Sequence, residues 1–308
     1  MNSIITGIIK ESSSITAQSL METISEARDV LKGERKSGAQ ADCIIKEDLI
    51  WADPNGSFLV VGDLHGDIDS LKEVLKKALS THHGISSTQK IVFMGDYGDR
   101  GPYSIEIYYI LLKLKTLYPD SIILMRVNHE APIELSFSPY DLPNQTLKLF
   151  GTDAQNVRIS LEGLFNYFYL AMIVSDKYVF IHGGVPSMAA DIDDLVFARK
   201  KHPTASHFEE MLWNDPREDF KGIGKSARGY GRVFGEDVTS NFLNFVGARV
   251  LIRGHEPCDG VKVSHDGKVL TIFSSKGQYN NSKAGFVPID LQESTLSGWN
   301  LAESAVLF

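Results

Sequence analysis

The residues of this 308-residue chain that could do chemistry follow short apolar runs, and each run is typical of a buried strand. After five such runs stands an Asp, His or Asn, in the segments 62–67, 95–101, 128–130, 182–184 and 254–256, and in all of these except 128–130 a glycine lies beside it. Open α/β sheets bind their ligands beyond the carboxyl ends of their strands. A single Asp or His there is often a helix cap or a surface group, but the repetition predicts a metal site.

The ligand types in these segments are carboxylate, imidazole and amide, without sulfur. Such a set suits a hard or borderline divalent ion and argues against a structural zinc site. One carboxylate shared by two ions ~3.5–4 Å apart would suit in-line displacement at phosphorus, because the pair lowers the pKa of a bridging water and neutralises the phosphoryl oxygens. The segments therefore favour two-metal chemistry on a phosphate ester.

The elements that must position these residues alternate between strand and helix in the first half of the chain. After the first site segment, Asp67 or Asp69 can cap a helix that buries Leu71, Val74 and Leu75. A second helix is predicted over about 103–117, after the strand at 91–94, so the first half is predicted to hold parallel strands. We predict a helix near 161–170, strands at 171–174, 178–181, 249–252, 262–264, 269–273 and 286–291, and a hairpin turn at 265–268.

Other stretches are predicted to lie outside this framework. An amphipathic helix over about 16–32 and a glycine-punctuated linker over 33–41 form an N-terminal unit, 1–44, before a catalytic domain, 45–308. The proline-containing stretch 131–153 is predicted to be an irregular surface excursion, and the paired His82 and His83 a solvated loop. The glycine-rich stretch 221–235 lacks the order of a P-loop.

Composition excludes several classes of function. The apolar fraction of 43% is that of a globular protein, and no apolar run approaches the ~18 residues that a membrane span needs. The net charge is −8, without a block of Lys and Arg, so we expect no nucleic acid and no membrane partner. Cys43 and Cys258 lie far apart, which excludes a disulfide framework and favours the cytoplasm.

A family resemblance rests on the motifs themselves. The segments GDLHGD from Gly62, GDYGDRG from Gly95 and the triplet at 128–130 resemble three signatures of the phosphoprotein phosphatases, the metal-dependent serine/threonine phosphatases within the calcineurin-like metallophosphoesterases. The resemblance covers roughly residues 45–295. It continues through HGG at 182–184, WNDP at 213–216, RG at 228–229, FG at 234–235, RGH at 253–255, FSS at 273–275, Tyr279 and AG at 284–285.

This resemblance implies a fold, an activity and cofactors. The fold would be α/β (α+β), a four-layer αββα sandwich of two mixed β-sheets flanked by helices. The activity would be hydrolysis of phosphoserine and phosphothreonine monoesters of phosphoproteins, by in-line attack of a hydroxide that bridges two divalent metal ions. Manganese is the first choice of metal, with iron or zinc as native alternatives. Regulatory subunits are possible partners that the sequence does not identify.

The resemblance also implies a role for each matching residue. Asp63, His65 and Asp96 would bind one metal ion, and Asp96, Asn128, His182 and His255 the second. Arg100 and Arg228 would hold the phosphate, for which a planar guanidinium is better suited than a lysine, with Asn128 and Tyr279 also at the substrate. His129 would be the general acid, oriented by Asp99.

Departures from the family pattern leave two questions. Val127 stands where the family usually has glycine, so either its φ is positive and strained or its neighbours have made room, with Gly98 as the candidate space. The stretch 274–285 also lacks the proline and cysteine common in the family's overhanging loop. The alternatives to a protein phosphatase are a dinucleoside polyphosphate or other small phosphoester or phosphoanhydride hydrolase, and a non-catalytic phosphate-binding scaffold.

Overall fold

The elements of the fold are defined by a computed structural model, which describes residues 3–81, 89–293 and 297–308. The helices are α1 Ser3–Glu11, α2 Ala17–Ser37, α3 Ile68–Thr81, α4 Ser104–Leu117, α5 Leu142–Phe150, α6 Ala154–Phe165, α7 Ile192–Val196, α8 Ala198–Lys201, α9 His207–Trp213, α10 Glu236–Val246 and α11 Gly298–Glu303. The strands are β1 Ala39–Gln40, β2 Cys43–Lys46, β3 Leu49–Ala52, β4 Ser57–Val61, β5 Gln89–Phe93, β6 Ile122–Leu124, β7 Ala171–Val174, β8 Tyr178–Ile181, β9 Asp215–Pro216, β10 Ile223–Lys225, β11 Arg232–Phe234, β12 Val250–Arg253, β13 Val261–Ser264, β14 Val269–Ile272, β15 Gly285–Asp290 and β16 Val306–Leu307.

Two mixed sheets carry the site segments. One has the order β16-β15-β4-β5-β6, and β4, β5 and β6 run parallel in it, as predicted. The other has the order β1-β2-β3-β7-β8-β12-β14-β13. A small third sheet, β10-β11-β9, was not predicted. The mixed α/β fold class is thus confirmed.

The apolar pattern of the strands explains how the two large sheets stack. Every residue of β5 is buried, as expected for a parallel strand covered on both faces. In the other sheet, Phe180 belongs to the core between the sheets, where its ring lies 5.9 Å from that of Phe58. Its neighbour Val179 points the other way, into a second cluster that includes Phe208 of α9 and Phe242 of α10. Helices therefore cover the outer face of this sheet, while the inner face packs on the first sheet.

The N-terminal region differs from its prediction. The prediction of a linker over 33–41 is wrong, because α2 continues through Gly33 to Ser37. The helix ends at Gly38, which has a φ of 71° and forms its C-terminal cap. A hairpin of β2 and β3 follows. The division between residues 44 and 45 stays a prediction, although Leu20 and Ile24 of α2 belong to the same hydrophobic core cluster as strands of the first sheet.

A buried ion pair fastens α2 to α4. The ammonium group of Lys115 donates to Glu34 Oε1 at 2.5 Å, and the hydroxyl of Tyr169 donates to Glu34 Oε2 at 2.9 Å. Lys115 also donates to the backbone carbonyls of Pro119 and Ile122. Burial lowers the pKa of Lys115, and the Glu34 carboxylate opposes that effect. The charge of Lys115 therefore has its carboxylate partner only while α2 packs against α4.

The stretch predicted as an irregular excursion, 131–153, contains α5. Pro143 lies in the first turn of α5, where its missing N–H breaks no helical hydrogen bond. The prediction for His82 and His83 lies outside the described residues. Both cysteines are free, and no helix within the described ranges is long and apolar enough to cross a membrane.

Gly95, not Gly98, makes room for Val127. Val127 is fully buried and is not among the residues with positive φ. Gly95 has a φ of 100°, and a Cβ built on it would lie 2.0 Å from Cγ1 of Val127. A Cβ on Gly98 would instead meet Tyr108 and Ser104, so the proposed compensation by Gly98 is wrong. The valine is accommodated by packing rather than by backbone strain.

Substituting Gly95→Ala should therefore destabilise the protein by about 2–5 kcal/mol, from the positive φ and the overpacked contact together. Chemical denaturation would measure it, with Gly163→Ala as the matched control. Gly163 lies in α6 with open space around its added Cβ, so alanine there should be neutral or stabilising by up to ~1 kcal/mol. Equal stability of the two variants would contradict the close packing of Gly95 on Val127.

Candidate metal centre

The site segments meet where the two large sheets adjoin. Asp63 forms an isolated parallel bridge with Phe273, directly after β4 and β14, and this bridge joins the ends of the two sheets. Five site residues have positive φ: His65 (44°), Asp96 (48°), Asp99 (62°), Arg100 (70°) and His255 (71°). Backbone strain of this kind concentrates at functional sites, because the surrounding structure must hold it.

The Asp96 carboxylate lies between two imidazole rings. Its Oδ2 is 3.4 Å from Nε2 of His65 and 3.4 Å from Nε2 of His182. Asp63 contributes a second carboxylate, with Oδ2 3.9 Å from Nε2 of His65 and Oδ1 3.9 Å from Nδ1 of His182. This is the arrangement expected of a carboxylate shared by two ions.

The outer nitrogens of two histidines are already engaged. His65 Nδ1 lies 3.2 Å from the carbonyl oxygen of Gly98, and His182 Nδ1 lies 3.0 Å from that of Met94. Since a carbonyl can only accept, each Nδ1 carries the proton and each Nε2 keeps its lone pair. In both rings, the Nε2 lone pair therefore lies on the side of Asp96 and can serve as a metal ligand there.

Unpartnered polar atoms test whether these residues fit a metal. Buried atoms without a hydrogen-bond partner include Oδ1 of Asp96, Oδ1 of Asn128, Nε2 of His182 and Nε2 of His255. Buried polar atoms normally have partners, so a cluster of orphaned lone pairs is costly unless a cation binds it. All four belong to the predicted ligand set, and the donor chemistry fits divalent ions.

Two overlapping groups of possible ligands share Asp96. One comprises Asp96, His182 and His255, and the other His65, Asp96 and His129, with ligand atoms within 4.8 Å of one another. The second group differs from our prediction, which has Asp63 in place of His129. We favour Asp63 because its carboxylate lies against the rings of both His65 and His182.

The electrostatics differ from one proposed ligand to another. Burial lowers the pKa of His182, but the carboxylates of Asp96 and Asp63 outweigh it and raise that pKa above its usual value. Burial raises the pKa of Asp63 to about 7 and lowers the pKa of His65 to about 4. Burial also lowers the pKa of His255 well below its usual value. Neutral imidazoles are the form that binds a metal, and a cation beside Asp63 would favour its carboxylate. Metal binding therefore requires neutral imidazoles and an ionised Asp63, and the site can reach these protonation states at neutral pH.

His129 is held by Asp99. Its Nδ1 donates to Oδ2 of Asp99 at 2.7 Å, while Oδ1 of Asp99 accepts from the backbone N–H groups of Asp141 and Leu142 at the start of α5. Burial lowers the pKa of His129, but the carboxylates of Asp96 and Asp99 outweigh it and raise that pKa above its usual value. His129 can therefore hold a proton at Nε2.

The two predicted phosphate-binding arginines flank the cluster. Arg100 Nε donates to the Tyr279 hydroxyl at 3.0 Å, and that hydroxyl lies 3.3 Å from Nε2 of His65. Arg228 Nε donates to Oδ2 of Asp215 at 2.6 Å, and its Nη2 donates to the carbonyl of His255. The structure thus brings all the predicted site residues to one place.

The loop that carries Tyr279 is held at both ends without proline. Near its start, Oδ2 of Asp67 accepts from the backbone N–H of Lys276. Near its end, Oδ1 of Asp259 accepts from the N–H groups of Ser282 and Lys283. These carboxylates fix the loop ends between which Tyr279 reaches the site.

Sequence reasoning gave no role to two supporting groups. Glu130 accepts from the backbone N–H groups of Asp96 and Tyr97, so it fixes the turn that presents Asp96. Asp215 holds Arg228 through one oxygen and the buried Arg253 through the other. Glu130 belongs to the motif at 128–130 and Asp215 to the motif at 213–216. Their membership of these motifs is the sequence signal from which a role could have been predicted.

Comparisons with known proteins agree with this geometry. Residues 56–259 match the calcineurin-like phosphoesterase family. A protein of Encephalitozoon cuniculi named "Probable serine/threonine-protein phosphatase" is 33% identical over 241 residues, which cover 77% of this chain and 50% of that protein. Serine/threonine-protein phosphatase T of Schizosaccharomyces pombe is 33% identical over 232 residues, covering 71% of this chain and 46% of that protein. The chain thus spans about half the length of these curated relatives.

A solved structure shows the same fold. It is a protein serine/threonine phosphatase from Saccharomyces cerevisiae, described as similar to human phosphatase PP5. The TM-score is 0.78 at 24% identity, with 96% of this chain and 89% of that chain covered.

Proposed function

This chain belongs to the calcineurin-like phosphoesterase family, and we propose that it is a metal-dependent protein phosphatase acting on phosphoserine and phosphothreonine. The observation that carries the proposal is the Asp96 carboxylate between the Nε2 atoms of His65 and His182, among orphaned ligand atoms. The motifs of the phosphoprotein phosphatases and the two curated relatives support a phosphoprotein substrate.

The proposed ligands divide into two sets that share Asp96. Asp63 and His65 would complete one set, and Asn128, His182 and His255 the other. When bound, two divalent ions would lower the pKa of a water nucleophile and neutralise charge on the phosphate. Oxygen and imidazole ligands suit manganese, iron and zinc. Of these three metals we propose manganese first, with iron or zinc as alternatives.

The protein's own side chains would do the remaining work. Arg100 and Arg228 would hold the phosphate oxygens with charge-assisted hydrogen bonds, and Asn128 would help to orient the phosphate. His129, held by Asp99, would give the proton at its Nε2 to the leaving serine or threonine oxygen. Tyr279 would fix the Arg100 guanidinium from above the site.

Hydrolysis after metal removal and add-back would test the function. We expect chelated protein to lose turnover of a phosphoserine peptide and to regain it when Mn²⁺ is restored. Elemental analysis of the purified protein would identify the native metals. Faster turnover of dinucleoside tetraphosphate than of any phosphopeptide would favour the small-anhydride hydrolase instead. Metal-free protein that binds phosphate without hydrolysing either substrate would favour the scaffold. Regulatory subunits and a cytoplasmic location stay predictions.

A further inference from the structure

A surface pocket of about 320 Å³ lies beside Arg100. Its walls are the loop residues Gly101 and Pro102 and one side of the α5 region. The same guanidinium faces the metal centre, because its Nε donates to Tyr279, whose hydroxyl lies 3.3 Å from Nε2 of His65. A substrate whose phosphate reaches Arg100 therefore lies next to this pocket.

Two of the polar groups that line the pocket are used to build it. Oδ2 of Asp141 accepts from the backbone N–H of Arg100 at 3.0 Å. Gln145 accepts from the backbone N–H of Ser104 and donates to the carbonyl of Gly101, both at 2.9 Å. These bonds fix α5 against the loop that carries Arg100, so the shape of the pocket is set by the fold.

Other donors in the pocket remain available. Within the described ranges, the Lys148 ammonium group and the Asn144 side-chain amide have no hydrogen bond or ion pair, and both residues are exposed. Arg100 uses Nε and Nη1, the latter on the carbonyl of Pro139, and we assign its remaining nitrogen, Nη2, to the phosphate. The side chains of Lys148 and Asn144 are therefore free donors, and a cationic ammonium group beside a neutral amide suits a carboxylate.

No carboxylate among the described residues forms an ion pair with Lys148. Asp141 carries one negative charge at the pocket wall, against the positive charges of Arg100 and Lys148. Glu106 of α4 also lies within electrostatic reach of Lys148, but it forms no ion pair with it. Burial raises the pKa of Glu106, and Lys148 opposes that shift. Lys148 thus carries a positive charge without an ion-pair partner among the described residues, on a protein whose net charge is −8.

We propose that this pocket binds an acidic side chain of the phosphoprotein substrate, at a position near the phosphorylated residue, with Lys148 as the selective group. The proposal rests on the proposed function, since it names the substrate class of that same site. Lys148 would meet the carboxylate as an exposed ion pair, and such pairs are weak. We therefore expect a preference of about two- to fivefold rather than an absolute requirement.

The experiment measures kcat/KM for a set of phosphoserine peptides in which Glu, Ala or Lys occupies each position from −3 to +3. The ratio between the Glu and Ala peptides is taken within each variant, so differences in folding or metal content cancel. We expect wild-type protein to prefer Glu at one or two positions, Lys148→Ala to lose the preference, and Lys148→Glu to prefer the Lys peptide there. Lys148→Arg should keep the preference for Glu.

Lys36→Ala is the matched control, because Lys36 is an exposed lysine near the end of α2 and does not line the pocket. It should keep the wild-type ratio. Equal rates for all peptides in wild-type protein, or the same ratio in Lys148→Ala as in Lys36→Ala, would overturn the subsite and leave the phosphatase function standing. Hydrolysis of p-nitrophenyl phosphate but of no phosphopeptide would overturn the proposed function and the subsite together.

Discussion

Replacing Asp96 with asparagine should abolish phosphatase activity and weaken the binding of both metal ions. Asp96 is the carboxylate whose Oδ2 is equidistant from His65 and His182, at 3.4 Å from each Nε2. An amide oxygen is a weaker ligand than a carboxylate and removes one negative charge from between the ions. Because loss of an outer hydrogen-bond partner alone costs about 10–100-fold in metal affinity or activity, loss of a bridging ligand should exceed a hundredfold.

Metal content and thermal stability would report the effect independently of turnover. Wild-type protein should gain stability when Mn²⁺ is added, by about 2.7 kcal/mol at a hundredfold excess over the dissociation constant, and Asp96→Asn should gain little. Asp69→Asn is the control, since Asp69 is an exposed aspartate of α3 whose ion pair is with Lys72. Retention of two metals and normal activity by Asp96→Asn would disprove its role as the bridge.

Replacing His129 with asparagine should reduce activity in proportion to how much the leaving group needs a proton. A serine alkoxide is a poor leaving group, whereas a nitrophenolate departs readily without protonation. His129→Asn should therefore lose more rate on a phosphoserine peptide than on p-nitrophenyl phosphate, with a gap within the ~10²–10⁴ range of general acid catalysis. Both metals should remain, because the proposed ligand set contains Asp63 rather than His129.

Asp99→Asn provides the companion measurement. An asparagine has one acceptor oxygen for the donors that Asp99 serves, Nδ1 of His129 and the backbone N–H groups of Asp141 and Leu142, and it no longer favours the imidazolium by charge. The same dependence on leaving group should therefore appear in Asp99→Asn with smaller amplitude. Equal losses on both substrates with metal intact would mean that His129 positions phosphate or nucleophile. Loss of a metal from His129→Asn would instead support the ligand group of His65, Asp96 and His129.

The parallel strands and their site segments could be predicted because each signal is local. An apolar run followed by an acid or histidine beside a glycine marks both a strand and its end, and β4, β5, β8 and β12 follow this pattern, while β6 is followed by Asn128, His129 and Glu130 without a glycine. The identity of the ligands needed the family resemblance as well, since spacing alone does not say which turns meet in space.

The elements that were missed lacked such a signal. The hairpin of β2 and β3 turns at Glu47 and Asp48 without a glycine, and Glu47 adopts a φ of 52°. Asp48 is nevertheless buried because Arg35 and Arg199 bind its carboxylate, two partners distant in sequence. Helices often end at a glycine, and the sequence therefore predicts the end of α2 before Gly33. The helix ends at Gly38 instead, which is the glycine with positive φ.

The supporting part of the site depends on contacts between distant segments. Glu130 reaches the backbone of Asp96, and Asp215 joins Arg228 to Arg253. No periodicity in the sequence relates these positions. Their types were visible in the motifs, but their partners follow only from the packing of the two sheets.

The ion pair between Lys115 and Glu34 limits how far the protein can be truncated from its N-terminal side. A polypeptide started at residue 45 would leave the Lys115 ammonium group in the core without its carboxylate, at a cost of about 3–5 kcal/mol. It would also uncover the apolar surface on which Leu20, Ile24 and Leu31 rest. Against a total stability of about 5–15 kcal/mol for a typical protein, these losses are large. Recombinant shortening to a minimal catalytic unit should therefore yield insoluble or protease-sensitive material unless α2 is retained.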